Sequence, residues 1–157
     1  MVSKSRQDNW LITYKSVNKT PSYRDRSLLL SLYDGSLLYI NGLDEKSSNF
    51  LYDLLRERYA ILFIEGLNQD KSDKKIYRCN IKDSSTRISI KMHRDYVQRL
   101  IDTLDRYGLD FDESGSEIVV YIKNNKGEQI NKIHIEKIGI YTDENGQASL
   151  DQFINIQ

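Results

Sequence analysis

Four basic side chains, Arg78, Lys82, Arg87 and Lys91, stand on the polar side of two short alternating stretches, and side chains of that type in that pattern ask for an anion. Lys75-Ile-Tyr-Arg-Cys-Asn-Ile-Lys82 and Arg87-Ile-Ser-Ile-Lys-Met92 both alternate polar with apolar residues, the period of a half-buried strand. Read as a β-hairpin around Asp83-Ser84-Ser85-Thr86, they pair Lys82 with Arg87, Asn80 with Ser89 and Arg78 with Lys91. Ile81–Ile88, Cys79–Ile90 and Tyr77–Met92 then fill the other face. Like charges directly opposite each other cost up to about 1 kcal/mol per pair unless something neutralises them. Cations with neutral donors between them, Asn80 and Ser89, suit a phosphate backbone, and a two-stranded ribbon fits the major groove of duplex DNA.

A second candidate is catalytic. Glu65 ends the most apolar stretch, Ala60-Ile-Leu-Phe-Ile64, and is followed by Gly66, which permits an abrupt turn. A carboxylate fixed at the rim of a buried strand could hold Mg²⁺ and serve phosphodiester cleavage, in which the metal activates water. That chemistry needs a second carboxylate, for which Asp53, Asp83, Asp110, Asp112 and Glu113 are available. Asp110-Phe-Asp-Glu113 lacks the spacing of a calcium loop and reads as a solvated loop. His93 and His134 read as surface residues without partners at metal-ligand spacing. Trp10, Tyr14 and Tyr23 lie among the N-terminal cations but read mainly as packing residues. There is no glycine-rich phosphate loop, dinucleotide fingerprint or nucleophile elbow.

The elements that must position these groups follow from periodicity and turn chemistry. Trp10–Tyr14 reads as a strand, and Ser27–Tyr33 and Ser36–Ile40 as a hairpin about Asp34-Gly35. Asp44 can cap a helix whose apolar stripe is Phe50, Leu51, Leu54, Leu55 and Tyr59. A second helix from about His93 to Tyr107 carries Val97, Leu100, Ile101 and Leu104 on one face and stops at Gly108. Glu117–Ile122 and Ile130–Tyr141 complete the strands, with a change of phase at Glu136-Lys137 that suggests a bulge or two short strands. The expected fold is α+β: a mostly antiparallel sheet with two helices packed on it, arranged as two hairpin-helix-strand units. Residues 1–8 read as a mobile polar arm and residues 9–157 as a single domain.

Composition bounds the rest. The 157 residues are 39% hydrophobic with no apolar run long enough for a membrane span, so a cytoplasmic protein is expected. The single cysteine, Cys79, rules out an intrachain disulfide and reads as a core residue. Abundant Ile, Lys, Asn and Tyr with scarce Ala point to an AT-rich genome, which a viral or mobile-element origin would fit. The net charge is zero, yet residues 1–26 and 71–99 are net basic and residues 27–70 and 100–157 net acidic. Two functions are therefore expected. One is nucleic-acid binding on the basic hairpin, with a Mg²⁺-dependent nuclease centred on Glu65 as its sharper form. The other is a non-catalytic adaptor or inhibitor that docks a partner protein through its charge patches.

Overall fold

The computed structural model describes residues 2–4, 10–20, 26–57, 60–65, 68–69, 75–124 and 126–139. In chain order these form β1 (Val2–Lys4), β2 (Trp10–Ile12), β3 (Tyr14–Thr20), β4 (Arg26–Leu32), β5 (Leu37–Leu43), α1 (Glu45–Arg56), β6 (Ala60–Glu65) and β7 (Asn68–Gln69). There follow β8 (Ile76–Asn80), β9 (Arg87–His93), a single 3₁₀ turn (Arg94–Tyr96), α2 (Val97–Tyr107), β10 (Phe111–Glu113), β11 (Glu117–Lys123) and β12 (Gln129–Ile138). The fold class is α+β, as the alternation of helices and strands implies, but the strands make two sheets rather than one. A seven-stranded sheet runs β1-β2-β6-β9-β12-β11-β10, and a five-stranded sheet runs β3-β4-β5-β8-β7. Among the described residues the pairings are antiparallel except β5 with β8 and β9 with β12.

The hairpin β4–β5 forms where Asp34-Gly35 directs it, with the Ser36 N–H donating to Asp34 Oδ1 at 2.9 Å. Leu28, Leu30, Leu38 and Ile40 turn inward and are fully buried. α1 starts at Asp44, whose side chain accepts from the Ser47 N–H. That cap contributes about 1 kcal/mol. The stripe Phe50, Leu51, Leu54 and Leu55 contributes more, at about 1.5–3 kcal/mol for each side chain buried, and seats the helix against β3, β4 and β5. α2 ends at Gly108, in the left-handed region at φ 66°, and buries Leu100 and Leu104 beside α1. Both helices and the inward faces of both sheets share one core. No helix among the described residues is long and apolar enough to cross a membrane.

Contrary to the expected hairpin, β8 and β9 do not pair with each other. β8 lies between β5 and β7 in the five-stranded sheet, and β9 between β6 and β12 in the seven-stranded one. Residues 81–86 are a corner that passes the chain between sheets, with Ile81 and Thr86 buried and their carbonyls both accepting from Asn131 Nδ2. Electrostatics favours this outcome over the hairpin. In the hairpin Arg87 and Lys91 would face Lys82 and Arg78, whereas in the sheet they stand opposite Glu65 and Glu136. The second repeat unit therefore has no hairpin. Two further differences are local. Phe111–Glu113 is an edge strand rather than a loop, and β12 runs unbroken through Glu136-Lys137, the register shift of its ladder falling at Ile122/Lys123. Trp10–Tyr14 is divided, since the chain changes sheet at Thr13. Most of the expected N-terminal arm lies outside the described residues, as do Tyr23, Tyr59 and Tyr141.

Candidate nucleic-acid interface

Alternation within each strand places side chains on the face that the sequence assigns them, even where the pairing differs. On β8, Cys79 is buried and Arg78 and Asn80 are exposed; on β9, Ile88, Ile90 and Met92 are buried while Arg87, Ser89 and Lys91 turn outward. The outward sides belong to different sheets, so the four cations do not converge on one site.

On the outer face of the seven-stranded sheet Lys91 and His134 have acidic partners. Lys91 Nζ is 3.8 Å from Glu136 Oε2 and 5.2 Å from the centre of the Phe63 ring. His134 Nδ1 is 2.9 Å from Glu117 Oε1, a partner that sequence spacing does not reveal. The Tyr121 hydroxyl donates to Asp112, a bond that raises the tyrosine pKa. Ser89 stands between Phe63 and His134 in the ladder. Glu65 is half-buried opposite Arg87 at the end of β6. The carboxylates that could join it are engaged with other groups. Asp112 and Glu113 are on β10, four strand spacings or about 19 Å away across the sheet. Asp53 accepts from the Tyr107 hydroxyl on the helix side, Asp83 accepts from Ser85 within the corner, and Asp110 pairs with Lys123. Among the described residues no group of three or more His, Cys, Asp or Glu is placed to hold a metal ion. His93, expected on the surface, is 8% exposed and accepts from the Asp95 N–H at the start of the 3₁₀ turn.

The outer face of the five-stranded sheet differs in kind. Register places Asn18, Leu29, Tyr39 and Arg78 in one row across β3, β4, β5 and β8. Ser16, Ser31, Leu37 and Ile76 form the next row, and Asn41 and Asn80 lie beyond Tyr39 and Arg78. None of these outward residues is an Asp or Glu. At the centre the Arg78 guanidinium lies over the Tyr39 ring, 4.8 Å from its centroid. Hydroxyls and amides surround the pair, with the Ser27 hydroxyl donating to Asn41 Oδ1 at 2.9 Å. Arg78 and Asn80 are legible in the sequence as outward residues. Tyr39 is not singled out there, although its position between the inward Leu38 and Ile40 is a usable signal.

Lys82 follows the outward Arg78 and Asn80 at the next alternate position, and its N–H donates to Asn80 Oδ1 at 3.0 Å. It lines a cleft of about 240 Å³ together with Gly42, Asp44, Lys123, Lys126 and Glu128. Gly42 has a φ of 85°, and a Cβ there would come within 2.5 Å of Asn80 Oδ1 and 3.2 Å of Lys82 Cγ. Asp44 is committed to the cap of α1. Lys123 is committed to Asp110, whose carboxyl that hydrogen bond holds below its usual range. No protein-family model matches the chain, and comparisons with curated proteins and with solved structures return no match.

Proposed function

We propose that the protein binds single-stranded nucleic acid on the outer face of the five-stranded sheet, with Tyr39 and Arg78 at the centre. The observation that carries this reading is the acid-free outward register around a stacked aromatic–cation pair on β5 and β8, whereas the outer face of the seven-stranded sheet carries the carboxylates Glu117 and Glu136 beside His134 and Lys91. A polyanion avoids repulsion on such a face. An unpaired base can stack on the exposed part of the tyrosine ring, the guanidinium can meet a phosphate, and Asn18, Ser31, Asn41 and Asn80 supply donors and acceptors for base edges. Sheets that carry aromatic side chains serve single strands in this way because the bases can be splayed out. Duplex DNA suits the face less well. Five strands about 4.8 Å apart span about 19 Å, more than the roughly 12 Å width of the major groove, and the two-stranded ribbon that would have fitted is not formed.

The test is fluorescence anisotropy with labelled single-stranded RNA, single-stranded DNA and duplex DNA. Tyr39→Ala should weaken single-strand binding by about 1–3 kcal/mol, the range for loss of one stacked base. Arg78→Ala should weaken it and lower the salt slope by about 0.7. Lys91→Ala, whose partner is Glu136, should leave affinity unchanged. Tight binding that survives both Tyr39→Ala and Arg78→Ala would overturn the assignment. Absence of binding to all three probes would also do so, and would favour docking of a partner protein on the apolar side chains Leu29, Leu37 and Ile76 of the same face.

A further inference from the structure

We infer that the bound single strand leaves the five-stranded sheet over its β3 edge, where Lys19 and Arg56, both held against the Tyr52 ring, receive its phosphates. This exit rests on the sheet-face reading and adds the direction of the bound strand and the length it needs.

The fold brings the two places within reach of one strand. Among the described residues β3 pairs with β4 alone, and α1 packs against it. Within β3, Asn18 stands outward in the row of Leu29, Tyr39 and Arg78, whereas Lys19 lies opposite the inward Leu28, on the side of the helix. One residue thus separates the outer face from the helix layer. Asn49, Tyr52 and Arg56 recur at helical spacing, so α1 presents them as one stripe to that edge. Tyr39 is two strand spacings from Asn18, about 10 Å, which about three nucleotides cover at about 3.4 Å each in a stacked strand. A longer strand passes the edge.

The groups at the edge suit an anion. Lys19 Nζ lies 4.7 Å from the centre of the Tyr52 ring and donates to Asn49 Oδ1 at 2.9 Å, and the Arg56 guanidinium carbon lies 5.8 Å from the same ring centre. Both cations are exposed, and among the described residues neither is within ion-pair distance of a carboxylate. A neutral amide and an aromatic ring position them without cancelling their charge. The carboxylates closest to Arg56 in sequence have other partners: Asp53 accepts from the Tyr107 hydroxyl, and Glu57 pairs with Arg99 at 2.9 Å. Both line a groove with Arg56, Arg99 and Arg106, so the groove keeps one cation in excess and Lys19 adds a second beside it. Because the ring already holds both side chains, less of their freedom is lost when a phosphate arrives.

The experiment measures the anisotropy of labelled dinucleotide and octanucleotide single strands over a range of salt. Lys19→Ala and Arg56→Ala should each weaken the octanucleotide several-fold and lower its salt slope by about 0.7, while leaving the dinucleotide nearly unaffected. Lys19→Arg should retain octanucleotide binding, and Lys132→Ala, at an exposed lysine of the seven-stranded sheet, should leave both lengths unchanged. Tyr39→Ala should weaken both lengths by about 5- to 150-fold. If Tyr39→Ala acts as expected but Lys19→Ala and Arg56→Ala change neither length, change both equally, or do no more than Lys132→Ala, the exit is wrong and the sheet face stands. If Tyr39→Ala has no effect on either length, the sheet-face reading fails and the exit fails with it. Circular dichroism of each variant excludes misfolding as the cause of a loss.

Discussion

Cys79 shows how far burial alone controls the chemistry of a side chain. It lies on the inward side of β8 at 1% exposure, and burial raises its thiol pKa from 9.0 to about 12. Because the folded pKa is the higher one, its stabilising contribution is complete below pH 9 and declines as the pH rises towards 12, where the folded form also ionises. At pH 8 the native thiol should react with a disulfide reagent on the order of a thousandfold more slowly than the denatured one. Rapid labelling of native protein would show that β8 opens readily from its neighbours. The adjacent Arg78 has the opposite exposure, and one step along the strand is all that separates a chemically silent group from the centre of the candidate interface.

At the scale of the element, the legible features are those whose cause lies within a few residues. The cap at Asp44, the stop at Gly108 and the turn at Asp34-Gly35 are local, and so is the inward or outward side of each residue on β8 and β9. Choice of partner strand is not local. Alternation within residues 75–92 favours a hairpin because it holds no information on β5, β6 and β12, whose apolar sides and whose Glu136 complete the ladders that actually form. Arg78 and Asn80 accordingly lie on the five-stranded sheet, while Arg87, Ser89 and Lys91 belong to the seven-stranded one. That Lys123 and Lys126 line one cleft with Lys82 is not legible either, because their turn is distant from it in sequence. Gly42 is the element-scale position most open to test. Gly42→Ala forces a left-handed residue and a clash with Asn80, so it should cost about 1–3 kcal/mol, read as a lower midpoint in urea unfolding. An unchanged midpoint would mean that β5 and β8 can separate at this end without loss.

For the whole molecule, charge that is segregated along the chain is remixed in space. Lys91 of a basic stretch meets Glu136 of an acidic one, and Arg99 meets Glu57 at 2.9 Å. Each exposed pair is worth no more than about 1 kcal/mol, so stability rests on the shared core rather than on these contacts. The two sheets also draw their strands from both halves of the sequence: β1, β2 and β6 join β9 to β12 in one, and β3, β4, β5 and β7 join β8 in the other. A cut between β7 and β8 would consequently leave two incomplete pieces, each lacking surfaces that only the other can supply. Neither piece should show native circular dichroism by itself, and mixing them in equal amounts should recover it. The molecule is in that sense two interlocked halves, and either one alone is a template waiting for its complement.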